Sequence, residues 1–590
     1  MQISLSIKNA LFLGASDGLS VEVFGSSLPD RSGPKDEDLF LPATAVVGST
    51  QRAFETPGAA AIAFAEDYTQ LGYADINQVM RTIPGVYVRA EDGYGLFPNL
   101  SLRGVDTNRN SKITVMEDGI LAAPAAYSAP AAYYSPVTGR MSAIEVLKGS
   151  SQIGYGPHTT GGVVNYLSTP IPNERKAYLK SSYGTDSDIR LHGWVGGQET
   201  LSGGVFGYLV EGWRRSVDGF KTIIGSPGFG GSDETGFVQN DVNLKFSFEP
   251  NWETRHRFEL NLGYTDLDAD EGYLGLSNED FARDPYQRYP ASRFDNMTNS
   301  QERLVLRHEV ALGVDSRLST AAYYTTFERN WYKLQSVNGN NLSSALFNGT
   351  DDYFTLRGQR AGEFVVRANN RYYYQYGVQT RLDKIWETET VLHQLEAGLR
   401  VHSDRVRRFQ RDDLFLQDGG GAIIGNEVGQ PGGAGDRAQE ATAIAFHVRD
   451  RMEIGKLAVI PGFRFETIDY SFEEFSRPES GSDRLNVFAP GIGIEYQANP
   501  EWMLFGGYYQ GYSVPGPRAF VRSGIEEERS DGFEVGVRHQ QEDWLRAELI
   551  GFLTLFRDLI AKENIGGVGL GDAENVGDAY SGGRRGSSGV

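Results

Sequence analysis

Residues 144–165 read IEVLKGSSQIGYGPHTTGGVVN. A carboxylate and an ammonium, Glu145 and Lys148, stand three positions apart in an apolar run, with His158 downstream. A Glu and a Lys could act as general acid and base, but the nucleophile such a pair would serve is missing nearby. The chain contains no HExxH, no GxxxxGK[ST] and no GxSxG. Its 8 His occur singly or beside charged residues, whereas a protein-held iron asks for clustered His, Asp or Tyr. With 0 Cys, thiol catalysis, disulfides, Cys-based zinc sites and iron–sulfur clusters are all excluded. Gly149, Gly154, Gly156, Gly161 and Gly162, together with Pro157, give the stretch tight turns where a Cβ would clash. Glu145, Lys148 and Arg103 of the upstream LRG therefore read as structural residues rather than as catalysts.

The elements that must position these residues fall into two regions. The formal charge of −21 and pI near 5.0 argue against non-specific nucleic-acid binding. Mean hydropathy is −0.38, and no apolar run reaches the roughly 18 residues of a membrane helix. A membrane β-barrel stays open, because its alternating strands average to a hydrophilic composition. Residues 1–41 are expected to be a disordered or non-native segment with a weak signal-peptide pattern. Residues 42–172 read as a compact mixed α/β unit. YADINQVMRTIPGVYV spaces Ile76, Val79, Met80 and Ile83 as one helix face, and Pro84-Gly85 stops that helix. Asp118-Gly119 is a hairpin turn signal.

Residues 173–590 alternate with period two. In KLAVIPGFRFETIDY, Leu457, Val459, Phe463 and Phe465 oppose Arg464 and Glu466, and in DGFEVGVRHQ, Phe533, Val535 and Val537 oppose Glu534 and Arg538. These segments are longer than ordinary soluble strands and suit a tilted bilayer crossing. Short links alternate with long ones, and aromatic pairs such as Tyr323-Tyr324, Trp331-Tyr332 and Tyr508-Tyr509 stand near strand ends as an interfacial girdle would. A soluble β-rich binding or adhesion protein is the competing reading of the same alternation.

DINQVMRTIPGV, LSLRG, VMEDGI, IEVLKGSSQIGYGPHTTGGVVN and ERSDGFEVGVR…GFLTLFRDLI occur in an order and spacing that resemble the TonB-dependent outer-membrane receptors. The run from Glu91 to Pro136 is most similar to the ferric dicitrate receptor subgroup. The resemblance implies a membrane β-barrel with an N-terminal mixed α/β plug domain, located in the outer membrane of a Gram-negative type cell. It implies no enzyme and no resident cofactor, iron being carried as a chelate. Its partners would be TonB with its inner-membrane motor, the ferric chelate, and outer-membrane lipid and lipopolysaccharide. No nucleic acid is expected, and the protein would be a monomer. TonB would pull a segment matched here by PATAVVG, with Ala43, Thr44, Ala45, Val46 and Val47 extended for strand addition. The alternative for that stretch is the first strand of the plug. Arg103, Glu145 and Lys148 would hold the plug and yield when it is pulled.

The same resemblance places ligand contacts on outward plug loops and barrel loops. Candidates are Asn108, Arg109, Lys112 and Tyr127 of the plug, and Arg288, Arg293 and Arg408 of long loops, because guanidinium forks match carboxylates. The second plug loop, AAPAAYSAPAAYYS, is rich in alanine where a dicitrate site would carry amides. Uptake of a non-iron nutrient, a saccharide or a corrinoid, is therefore the alternative. About fifteen alternating segments follow the plug, against about 22 strands in plugged barrels. The terminal DAYSGGRRGSSGV does not alternate, so the barrel is expected to lack C-terminal strands, and a truncated, non-functional fragment is a further alternative.

Overall fold

The computed structural model describes residues 19–24, 40–224, 235–541, 545–561, 564–565, 568–569 and 574–589. Residues 50–168 form a domain around a five-stranded sheet in the order Ala59–Phe64, Met141–Lys148, Gly162–Ser168, Ile113–Glu117, Ile120–Leu121. All its neighbours are antiparallel except Gly162–Ser168 beside Ile113–Glu117, which are parallel. The helix Ile76–Arg81 starts where the Asp75 side chain accepts the Asn77 N–H, and its Ile76, Val79 and Met80 are buried. Asp118 and Gly119 both take positive φ, 49° and 77°, as a two-residue hairpin turn demands.

This domain sits inside a closed barrel, built from a sheet of 16–18 strands that follow one another mainly as antiparallel neighbours in chain order. Wall strands reach 26 residues in Gly362–Glu387 and Leu392–Gln417, far beyond the 9–11 residues of a crossing. The excess rises toward the long loops. The alternation decides the faces: Phe465 is 41% and Val535 67% exposed, while Arg464, Glu466, Glu534 and Arg538 are buried against the plug. Tyr324 and Tyr508 face outward, but Tyr323 and Tyr509 face the lumen. Trp331, expected in a girdle, is also lumenal and 2% exposed. Adjacent aromatics on a strand necessarily split between faces.

Two expectations about the ends change. Residues 1–18 and 25–39 lie outside the described residues, but Leu19–Phe24 is a strand paired with Lys176–Tyr183 and not a disordered segment. Its LSVEVF sequence alternates over most of its length, as a strand does. The tail read as structureless forms Ala579–Gly589, paired in register with Leu545–Arg557. Backbone ladders do not require alternation, so Gly, Ser and Arg can complete one. Arg408, expected in a loop, lies within the wall strand Leu392–Gln417, which extends further outward than its alternation alone indicates.

Candidate functional site

At the long-loop end, four arginines stand in one register row. Arg329 faces Arg371, Arg371 faces Arg408, and Arg408 faces Arg437 on successive strands. Directly opposed residues share a face, and Arg329 shows that this face is the lumen, its guanidinium lying 3.7 Å over the Tyr133 ring of the plug. At about 4.8 Å per strand the row spans roughly 14 Å. Arg437 pairs with Glu474 at 2.6 Å, and Arg408 is bonded to Gln410. Arg371 keeps a buried Nε with no hydrogen-bond partner among the described residues.

Tyr133, from the alanine-rich second plug loop, faces this charge. Burial works to raise its phenol, but Arg329, Arg109, Arg371 and Lys333 overcome that and bring it down to about 8. Arg109 occupies an aromatic enclosure of Phe97, Tyr133, Tyr273 and Trp331, at 5.3, 5.3, 5.9 and 5.5 Å from the ring centroids. It also donates to Glu91 and to the Tyr273 hydroxyl. Trp331 stacks on Tyr273 at 4.4 Å and contacts Phe97 at 4.8 Å. Plug, wall and outer loop thus converge on one cationic, aromatic surface.

The other expected ligand residues are dispersed. Asn108 is partly exposed beside Asp106. Lys112 is an ion-pair partner of Glu528 at 2.6 Å. Tyr127 is fully buried: its N–H and that of Ser128 donate to Asp404, while its hydroxyl accepts from Arg400. Arg288 donates to the carbonyls of Asp270 and Ser292, and Arg293 to that of Pro290. Of the seven named side chains, only Arg109 and Arg408 adjoin the row. Arg329, Arg371 and Arg437 were missed because cross-strand register, which groups them, is not written in any one strand.

Midway along the wall, Arg103 takes positive φ, 57°, and bonds Glu534 at 2.8 Å. Lys148 donates to the Pro84 carbonyl at 2.7 Å. Glu145, expected to hold a cation, instead accepts the N–H groups of Val46, Val47 and Gly48 at 2.8, 3.0 and 2.6 Å, and the Asn165 amide at 2.8 Å. Residues 43–47 are accordingly neither an extended strand nor the first plug strand. They form turns with Ala45, Val46 and Val47 buried, because three N–H groups converging on one carboxylate require a curled backbone. Asn165 also donates to the Thr44 carbonyl.

Much of the remaining hold between wall and plug runs from arginine to main-chain oxygen. Arg307 donates to Asp118 O, Arg381 and Arg317 to Leu41 O, Arg400 to Gly156 O, and Arg464 to Gly154 O. Arg538 reaches both Thr56 O and Gly58 O.

Comparison with known proteins agrees with this architecture. Residues 52–163 match the family model for the TonB-dependent Receptor Plug Domain, and residues 312–583 that for the TonB dependent receptor-like beta-barrel, together more than half of the chain. A vitamin B12 transporter, BtuB, of Photobacterium profundum is 30% identical over 182 residues, 31% of this chain and 27% of that protein. The metal-pseudopaline receptor CntO of Pseudomonas aeruginosa is 25% identical over 426 residues, 68% of this chain and 55% of the relative. The chain thus spans about a quarter to just over half of the length of these relatives. Among solved structures, the unliganded ferric citrate transporter FecA superposes with a TM-score of 0.73 at 21% identity, covering 92% of this chain and 76% of the other, a likeness of fold. Plug, barrel and both family matches make the chain a member of the TonB-dependent receptor family.

Proposed function

We propose that this protein is a TonB-dependent outer-membrane receptor for energised uptake of an anionic ferric chelate, captured at the arginine row and carried inward as TonB pulls residues 43–47 and remodels the plug. The observation that carries the reading is the row itself. Four guanidiniums share one lumenal register, and Arg371 has an Nε buried without a partner among the described residues. Like charges held together in a confined lumen are unfavourable, and a carboxylate-rich ligand offsets that by bidentate pairing. Iron then arrives as substrate, already chelated, and the wall supplies recognition only. A nucleotide is not available outside the inner membrane, so release requires work delivered by a partner. Outer-membrane lipid would surround the apolar outer face.

Fluorescence titration of the purified protein with ferric citrate, a neutral ferric hydroxamate and cyanocobalamin tests the reading. Tight binding of the anionic chelate, weakened about tenfold or more in Arg371→Gln, is expected. Preference for cyanocobalamin with indifference to Arg371 would replace it with corrinoid uptake, the reading favoured by the 30% identity to a vitamin B12 transporter.

A further inference from the structure

The 8 imidazoles of the chain divide evenly between the inside and the outside of the barrel. His158, His192, His402 and His447 are turned to plug and lumen, and each bonds an acceptor there: Ala126 O, Glu211, Asp404 and Glu396. By alternation, His256, His308, His393 and His539 share the outward face with Tyr264, Leu306, Leu399 and Val535 of their own strands. All four stand at the short-turn ends of the strands His256–Ala269, Asn296–Ala311, Leu392–Gln417 and Glu528–Gln541. The outward indoles among the described residues, Trp252, Trp386 and Trp502, lie at the same end. Each meets an imidazole: Trp252 and His256 at 4.9 Å, Trp386 and His393 at 4.5 Å, and Trp502 and His539 at 4.3 Å between ring centroids. Toward the long loops the outward face carries tyrosines instead, among them Tyr264, Tyr324 and Tyr372.

We infer that Trp252–His256–His308 and Trp502–His539 are two subsites for the phosphate of an anionic glycerophospholipid in the leaflet at the short-turn end, gripped more tightly as pH falls. The inference rests on the outer-membrane location in the reading above, not on its cargo. His256 faces Val310, His308 faces Phe258 and Thr320, and His539 faces Trp502 and Ala547. Among the described residues, no carboxylate lies within bonding distance of these three rings, and the bonds that His256 and His308 make are to each other, at 2.9 Å. Each subsite also opens an outward apolar run, Phe258, Leu260 and Leu262 in one case and Val537, Val535 and Phe533 in the other. Acyl chains would lie along that run and bring the phosphate level with the rings. Indole and imidazole N–H groups are donors even when uncharged. Imidazole is also the side chain that gains charge between pH 8 and pH 5, and a cation against an indole face is favourable. The bond between His256 and His308 survives one added proton, because the donating ring can take it on its other nitrogen. The third pair, Trp386 with His393, has the same rings but a different charge. His393 bonds Asp450 at 2.8 Å, so a carboxylate already occupies the place a phosphate would take.

The delipidated full chain in detergent is incubated with phosphatidylglycerol, phosphatidylcholine or lipid A, and retained lipid is counted by native mass spectrometry at about pH 8 and about pH 5.5. Two phosphatidylglycerols per chain are expected, each held about fivefold more tightly at the lower pH, the effect of one cation near an anionic surface. His539→Gln should remove one lipid with its pH response, and His256→Gln with His308→Gln the other. His393→Gln should remove neither. No retained lipid, equal retention at the two pH values, equal retention of phosphatidylcholine, preference for lipid A, or lipid lost in His393→Gln would each overturn the inference. A variant that no longer shifts on heating is replaced by His539→Phe or His256→Phe, which keep the ring contact without the N–H. The pH response and headgroup preference of the native protein are read without any substitution. Chelate titration at the arginine row separates the two readings. Intact chelate binding with failed lipid retention sinks only the subsites, and absent chelate binding with intact lipid retention sinks the uptake reading.

Discussion

Arg371 lies opposite an arginine on each side, Arg329 and Arg408, and its Nε is buried without a partner among the described residues. Substitution by Gln removes repulsion in the empty protein and a fork in the liganded one. Affinity for an anionic chelate is expected to fall about tenfold or more, near 1.4 kcal/mol, with unfolding unaffected or slightly delayed, measured by titration and by heat denaturation in detergent. Tyr133 adds a pH signature. Its phenol, brought down to about 8 by the cations around it, becomes a phenolate above that pH and competes with an anionic ligand. Affinity should decline above pH 8 in the native protein and stay level there in Tyr133→Phe. Asp118 gives the opposite window. Burial opposes its ionisation, but Lys245, Ser168 and Arg307 hold it at about 2, below the ordinary range near 3.9. That stabilisation, about 2 kcal/mol, is complete above the ordinary value and is lost as pH falls through about 4 toward 2. The denaturation midpoint should drop across that window, and Asp118→Asn should flatten it. At this scale the sequence was read unevenly. Arg109 and Arg408 were legible as cations in the right motifs, whereas Arg329 in TTFERNW and Arg371 in ANNRYYY carry no local mark. Their meaning comes from register, which is set by turns many residues away.

Among elements, the plug motifs translated directly into strands and turns, because glycine at positive φ and apolar alternation act locally. The turn at 43–47 did not, since its shape depends on Glu145, 99 residues from Val46. The outer loops are a second case of long-range organisation. Asp280, 0% exposed, accepts from Tyr289, Tyr353 and Arg357 at 2.7, 2.6 and 2.7 Å, tying the helix Asn278–Arg283 to the helix Asp351–Leu356. Tyr289, Leu334, Leu342, Leu356 and Phe364 pack into a small core beneath. Asp280→Ala strands two hydroxyls and a guanidinium, a loss of about 3 kcal/mol to the packing of these loops. Limited proteolysis should then cut between residues 278 and 295 in the variant and spare the native protein, while the barrel itself survives.

For the whole molecule, the outward faces of the wall strands expose Leu306, Val378, Val401, Phe488 and Leu504, among others, around the barrel, a larger apolar surface than water tolerates on a monomer. The protein should sediment from detergent-free buffer and run as a heat-modifiable band from detergent. A dispersed monomer in plain buffer would contradict a lipid-facing wall. This architecture was legible because period two persists over long segments, whereas the strand at 579–589 was hidden by a composition without that period. The mode of attachment between wall and plug has an evolutionary corollary. An oxygen of the peptide backbone is furnished by every amino acid, whereas a guanidinium is furnished by one. Leu41 and Thr56 are thus free to drift among residue types without loosening the stopper, while Arg381 and Arg538 are not. Saturation mutagenesis scored for retention of the closed state should find tolerance concentrated on the inserted domain and intolerance on the cylinder around it.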